Sequence, residues 1–254
     1  MQARSSVLHL HATTPEATTC EYTGPRRLYI MPRGSNVRQM TSPDFRNPGE
    51  ARAICVFCGS GAGASPEFTE AARLVGALLA QKGVGLVYGG GDIGLMGEVA
   101  RSALAHGGRV TGIIPDFLIR REHMPDPAAE GRETIIVSDM HTRKRLMYER
   151  ADAFLALPGG IGTLEELVEQ MTWSQLGQHT RPIMVLNTLG FWDPLFELLR
   201  HMRQAMFLRP GLDASYMIAA EPAGAIDALL AAIASARAAS PDPGDDRPPA
   251  PGPF

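Results

Sequence analysis

Short apolar runs recur along the chain, each followed by a helical pattern. AICVFCG precedes PEFTEAARLVGALLAQKG, GLVYGGG precedes GLMGEVARSALAHGG, and AFLALPGG precedes GTLEELVEQMTWSQLG, while RVTGIIP, TIIVSD, PIMVLN and YMIAA extend the series. The runs do not alternate between apolar and polar residues, the pattern of strands buried on both faces. Strands of that kind, alternating with helices, specify a parallel sheet covered by helices on each side. The expected architecture is therefore α/β, a Rossmann-like doubly wound parallel sheet in a single domain. A hydrophobic content of 44% over 254 residues supplies a core large enough for it. The rhythm begins at Ala51 and fades at Arg237, so residues 51–237 are expected to form the domain. Residues 1–50 and the Pro-rich tail 238–254 lack periodicity and are expected to be disordered extensions.

A formal charge of −3 and the absence of a long basic stripe argue against a nucleic acid polymer as partner. No apolar run approaches the roughly 18 residues that a spanning helix needs, and no apolar signal segment opens the chain. The expectation is a cytoplasmic protein with no membrane partner. Cys55 and Cys58 stand three apart on a strand, so they face opposite sides of it, and no second pair completes a metal site. They read as buried structural thiols, and no metal is expected. His141 and His179, without companions at ligand spacing, read as structural too.

Three of the strands run into glycine: CGSGAGASP, YGGGDIGLMG and PGGIGT. Ligands of such sheets bind beyond the carboxyl ends of strands, and each of these loops leads into a helix whose free N–H groups favour an anion. Ser60, Gly90 and Gly91 are candidate ligand contacts in the first two loops. The second loop also holds G-x-G-x-x-G from Gly89 through Gly91 to Gly94, with Asp116 further on, which permits a dinucleotide reading. Against that reading, the pattern sits in the second βα unit and no separate substrate domain follows.

After PGGIGT the chain enters a helix with two adjacent carboxylates. With Thr163 as N-cap, Glu166 falls at the third helical position and TLEE forms a capping box. Glu165 then shares a stripe with Glu169 and Thr172, while Leu164, Leu167, Val168 and Met171 supply the apolar face. A first-turn glutamate also suits the helix dipole. In SDMHTRKRL a helix starts at Ser138 or Asp139 and places Arg143 on an inward stripe between Met140 and Met147. A cation there needs a phosphate or a carboxylate.

Together SDMHTRK and PGGIGTLEE resemble the paired signature of the LOG (Lonely Guy) family, cytokinin riboside 5'-monophosphate phosphoribohydrolases once labelled lysine decarboxylases. VFCGSGAGASPEF, YGGGDIGLMG, TGIIPDFL and TWSQLGQHTRP extend the likeness from Ile54 to the last helix. Ile161, Thr142 and the CGSGAG loop depart slightly from the pattern. The resemblance implies hydrolysis of the N-glycosidic bond of adenosine-type nucleoside 5'-monophosphates, cytokinins included, by a homodimer without a cofactor. By motif position it implies Arg143 and Glu165 as the catalytic pair and Gly159, Gly160, Gly162 and Thr163 as the phosphate site. Lys144 and Glu122 are implied to bind the nucleotide, with Thr172 and Met140 beside them. A nucleotide presents an anion at its phosphate and develops a cation on the ribose as the bond breaks, so one ligand suits both the glycines and the carboxylates. The alternative from another class is a non-catalytic nucleotide or molybdenum-cofactor carrier of the same fold. Pyridoxal phosphate is not expected, since the only lysines are Lys82 and Lys144, one ending a helix in QKG and one beside Arg143.

Overall fold

A computed structural model describes residues 28–30, 52–122, 131–208 and 215–239. The elements in chain order are β1 Leu28–Ile30, β2 Ala53–Phe57, α1 Pro66–Gln81, β3 Gly85–Tyr88, α2 Gly94–Ala105, β4 Val110–Pro115 and β5 Arg132–Val137. They continue with α3 Met140–Glu149, β6 Ala153–Ala156, α4 Ile161–Gln175, β7 Ile183–Leu186, α5 Asp193–Gln204, β8 Met217–Ala219 and α6 Pro222–Ala239. Among the described residues the strands form one parallel sheet in the order β1-β5-β4-β3-β2-β6-β7-β8. The expected doubly wound α/β architecture is present.

The continuous apolar runs have the predicted cause. On β2, Ile54 and Val56 enter the cluster beneath α1, α2 and α6, while Cys55 and Phe57 enter the cluster on the α3, α4 and α5 side. Leu155 and Phe154 divide in the same way on β6. Each fully buried Ile, Leu or Phe contributes about 1.5–3 kcal/mol, so both faces of the sheet anchor the helices that cover them. Cys55 and Cys58 lie in opposite clusters, buried and unpaired.

From β2 the chain steps outward to β3, β4 and β5, then returns to place β6 on the other side of β2. The winding reverses between β2 and β6, the switch point beyond whose carboxyl ends ligands of such sheets bind. The β2–α1 and β6–α4 loops meet at this point: the Gly59 N–H donates to Pro158 O at 3.1 Å.

Two expectations need correction. The sheet reaches back beyond Ala51, because Leu28–Ile30 pairs with Thr134–Ile136 as an edge strand. Three residues suffice where β5 already offers a template. The remaining expectations for residues 1–50, and those for the tail beyond Ala239, lie outside the described residues. The capping box is also absent. α4 starts at Ile161 with Gly160 as its N-cap, without a side-chain cap, so Thr163 is already inside the first turn and Glu166 lies past the cap-bonding position. Gly160 takes an extended conformation with nothing within 4 Å of a Cβ built on it, which lets the chain enter the helix three residues earlier.

Candidate active site

At the start of α4 the buried Thr163 hydroxyl packs directly beneath Gly159, where any side chain would collide with it. Gly160 and Gly162, by contrast, face open space. The first-turn N–H groups are thus bared to a ligand on one side and supported on the other, the geometry that suits a phosphate. Gly91 from the β3–α2 loop lies against the Glu122 side chain, and the Asp92 N–H donates to Glu122 O at 2.9 Å. Gly90, at φ +82°, packs on Ile113 and Ile114. Ser60 is exposed, and its main chain presses on Gly94.

α3 begins as expected. Asp139 is its N-cap, accepting from Thr142 N at 2.9 Å and from Thr142 Oγ1 at 2.8 Å. These bonds hold the Asp139 carboxyl down at about 2. Arg143, one turn on, is 6% exposed. Its guanidinium donates through Nε to Ile113 O at 3.2 Å and through Nη2 to Gly89 O at 3.1 Å, with Met140 Sδ at 3.8 Å from Nη1. A side chain on Gly89 would overlap this guanidinium. Among the described residues no carboxylate forms a direct ion pair with Arg143, which keeps its charge available.

The two adjacent glutamates diverge. Glu165 points outward, its side chain half exposed, and receives Lys144 Nζ at 2.5 Å. Lys144 also donates to Glu169 at 2.8 Å. Burial lowers the affinity of Lys144 for its proton, but the two carboxylates more than offset this and leave its pKa raised. Glu166 instead joins the inward stripe of Thr163, Leu167 and Gln170. Burial pushes its pKa up to about 7, opposed by the Arg143 charge and reinforced by Glu165 and Glu122. Glu122 is raised as well, by burial, with Arg143 acting against it, and its buried Oε2 has no hydrogen-bond partner. Burial first and Glu166 next raise the thiols of Cys55 and Cys58, so neither is an activated nucleophile.

The structure places Gly90, Gly91, Glu122, Met140, Arg143, Lys144, Gly159, Gly160, Gly162, Thr163 and Glu165 on the loops and helix starts that follow β3, β4, β5 and β6. Thr172 lies on the outer stripe of α4 with its hydroxyl returned to Val168 O at 2.8 Å. The sequence pattern hides Glu166 behind an apparent cap and gives no sign of the carbonyls of Gly89 and Ile113 that seat Arg143. Spacing carried a signal for the first, since Thr163, Glu166 and Gln170 recur at three and four. Lys82 pairs with Asp227 at 2.7 Å on the surface. No group of three metal-ligating side chains occurs among the described residues.

Fold and loop geometry define a Rossmann-like α/β protein whose glycine-lined helix start lies at the switch point of the sheet. Its family follows from comparison with known proteins. Residues 96–229, just over half of the chain, match the family model described as "Possible lysine decarboxylase", and the chain belongs to this family, that of the LOG proteins. It is 51% identical over 145 residues to a probable cytokinin riboside 5'-monophosphate phosphoribohydrolase of Oryza sativa subsp. japonica, covering 57% of this chain and 64% of that protein. It is 39% identical over 179 residues to the cytokinin riboside 5'-monophosphate phosphoribohydrolase of Rhodococcoides fascians, covering 70% and 89%. The chain therefore spans a little under two thirds of the length of the first rice relative. The molybdenum cofactor carrier protein of Chlamydomonas reinhardtii shares the fold, with a TM-score of 0.54 and 22% identity over 73% of this chain and 99% of that one.

Proposed function

We propose that this protein hydrolyses the N-glycosidic bond of adenosine-type nucleoside 5'-monophosphates, cytokinin nucleotides included, releasing the free base and ribose 5-phosphate. The observation that carries the reading is the open, glycine-lined start of α4, with Glu166 in the second turn of the same helix and within reach of the Arg143 charge. The 5'-phosphate lies on the first turn of α4 at Gly160 and Gly162, which fixes the ribose against the carboxylates. As the bond from C1' to the base breaks, its electron pair leaves with the base and positive charge grows on the ring. Ionised Glu166 stabilises that charge and takes the proton of the water whose hydroxyl adds to C1', and this proton passes to the departing base, which restores the carboxylate. Glu122, with an unpartnered oxygen beside Gly91, accepts a hydrogen bond from the base. Arg143 orients Glu166 and the phosphate. Glu165 stands at the mouth on Lys144, and the catalytic carboxylate is thus assigned to its neighbour.

The named relatives and the likeness of both motifs support this reading. We further assign the protein to the cytoplasm as a homodimer. Among the described residues no helix is long and apolar enough to cross a membrane. Ile161 and Val168 on α4 and Leu176 just after it are apolar and 83%, 40% and 66% exposed. The test is incubation of the purified protein with AMP and with isopentenyladenosine monophosphate, followed by chromatography of base and sugar phosphate. Release of base in equal amount with ribose 5-phosphate is expected. Tight binding of both nucleotides with no base released would overturn the reading in favour of a carrier.

A further inference from the structure

Consecutive residues on two helices form two layers of charge. Arg143 donates to Gly89 O and lies within electrostatic reach of Glu166, while their neighbours Lys144 and Glu165 pair at the mouth. Lys144 is the only described side chain that ion-pairs α3 to α4, and it takes two carboxylates from α4, Glu165 Oε1 at 2.5 Å and Glu169 Oε1 at 2.8 Å. The two acceptors are not equivalent. The Glu165 side chain is 50% exposed and stands at the mouth, whereas that of Glu169 is 21% exposed and lies one turn further from the glycines.

We propose that Glu169 is a positioning residue: through Lys144 it fixes α3 against α4 and so sets the spacing of Arg143 and Glu166. The proposal rests on the hydrolase reading for its kinetic consequence, though not for its geometric one. A nucleotide entering the mouth competes for Glu165 and Lys144, with the phosphate attracting the ammonium and sugar hydroxyls donating to the carboxylate. Glu165 is then free to leave the pair. Glu169 is beyond the first turn and keeps its bond, so the ammonium stays on α4 and α3 does not shift while substrate is bound. Side chains at the inner layer need only a small displacement to lose their function, since about 1 Å at a reacting centre costs on the order of 10² in rate. The pair also acts on the inner layer through charge. Glu166 is faced by Arg143 and Lys144 from α3, by Glu165 on its own helix, by Glu122 after β4, and by Cys55 and Cys58 from β2. Removing the negative charge of Glu169 leaves the Lys144 ammonium less neutralised, and a stronger positive field favours ionised Glu166.

The test uses Glu169→Gln, which keeps the shape and removes the charge, and Glu169→Asp, which keeps the charge on a shorter arm. Two readouts are taken: kcat and KM for base release from AMP, and the titration of the Glu166 carboxyl followed by NMR in the full chain. The expected result for Glu169→Gln is a fall in kcat of about tenfold with KM changed much less. The Glu166 titration is expected to move to lower pH, and Glu169→Asp should lie between the two. A kcat and a Glu166 titration both unchanged in Glu169→Gln would overturn the proposal, as would an Asp variant no better than the Gln variant. If the unaltered protein releases no base, the hydrolase reading fails by itself. The NMR titration still decides whether Glu169 acts on Glu166.

Discussion

Glu165 and Glu166 differ by one position and therefore by about 100° around α4, enough to send one to solvent and the other to Arg143. Glu166→Gln is expected to retain AMP binding and to lose roughly 10² to 10⁴ in turnover, while Glu165→Gln loses far less. Equal activity of the unaltered protein and the Glu166→Gln variant, measured as base release, would remove Glu166 from the chemistry. Its pKa of about 7 also sets a pH dependence. Because the ionised form is the working one in the proposed reaction, kcat/KM should rise with pH and level off above about 7. The same shift bears on stability with the opposite preference. The folded chain holds this proton more tightly than the unfolded one, whose carboxyl has its ordinary value of 4.5. Stability from Glu166 is therefore full below pH 4.5 and is lost as pH rises towards about 7, by up to about 3 kcal/mol. Glu166→Gln should accordingly raise Tm at pH 8 and have little effect on it at pH 4. The family description carries the word decarboxylase, but Lys144 is committed to two carboxylates and Lys82 to Asp227. Added pyridoxal phosphate should produce no aldimine absorption band; a band lost in Lys144→Ala would contradict this.

Among the elements, the glycine loops divide by what their missing side chains allow. Gly89 has the Arg143 guanidinium in the place of a Cβ, so Gly89→Ala should displace Arg143 and abolish turnover. Gly162→Ala, with open space around it, should fold as well as the parent and lose affinity for AMP, measured calorimetrically. The order of strands and helices was legible in the sequence because continuous apolar runs have few alternatives when helices flank them. The start of α4 was not. A threonine followed three residues later by a glutamate is a strong local signal for a cap, yet the chain enters the helix at a glycine that offers no side chain to detect. That displacement of three residues is what hid Glu166 while leaving Arg143, Lys144 and the glycines readable from their motifs. The strand β1 was hidden for a different reason: LYI is too short to show a period, and its pairing depends on β5, more than a hundred residues away.

At the scale of the whole molecule, β1 covers the β5 edge of the sheet, so the chain cannot be trimmed to its βα rhythm without consequence. A chain starting at Ala51 should melt at a lower temperature than one starting at Leu28, and should aggregate more readily through the bared edge. Val168→Glu on the outer face of α4 should convert the proposed dimer to a monomer in sedimentation experiments. In the proposed reaction, a helix start that holds the phosphate would also set the order in which a turnover ends. Cleavage removes the base but leaves the phosphate on the sugar, so the sugar product keeps the anchor that held the substrate while the base loses its tether. Adenine is then expected to depart first, and ribose 5-phosphate to be released from the bared N–H groups before another nucleotide can enter. In the proposed reaction ribose 5-phosphate should therefore inhibit competitively against AMP and free adenine only weakly, so that rapid removal of the sugar phosphate is expected to raise turnover.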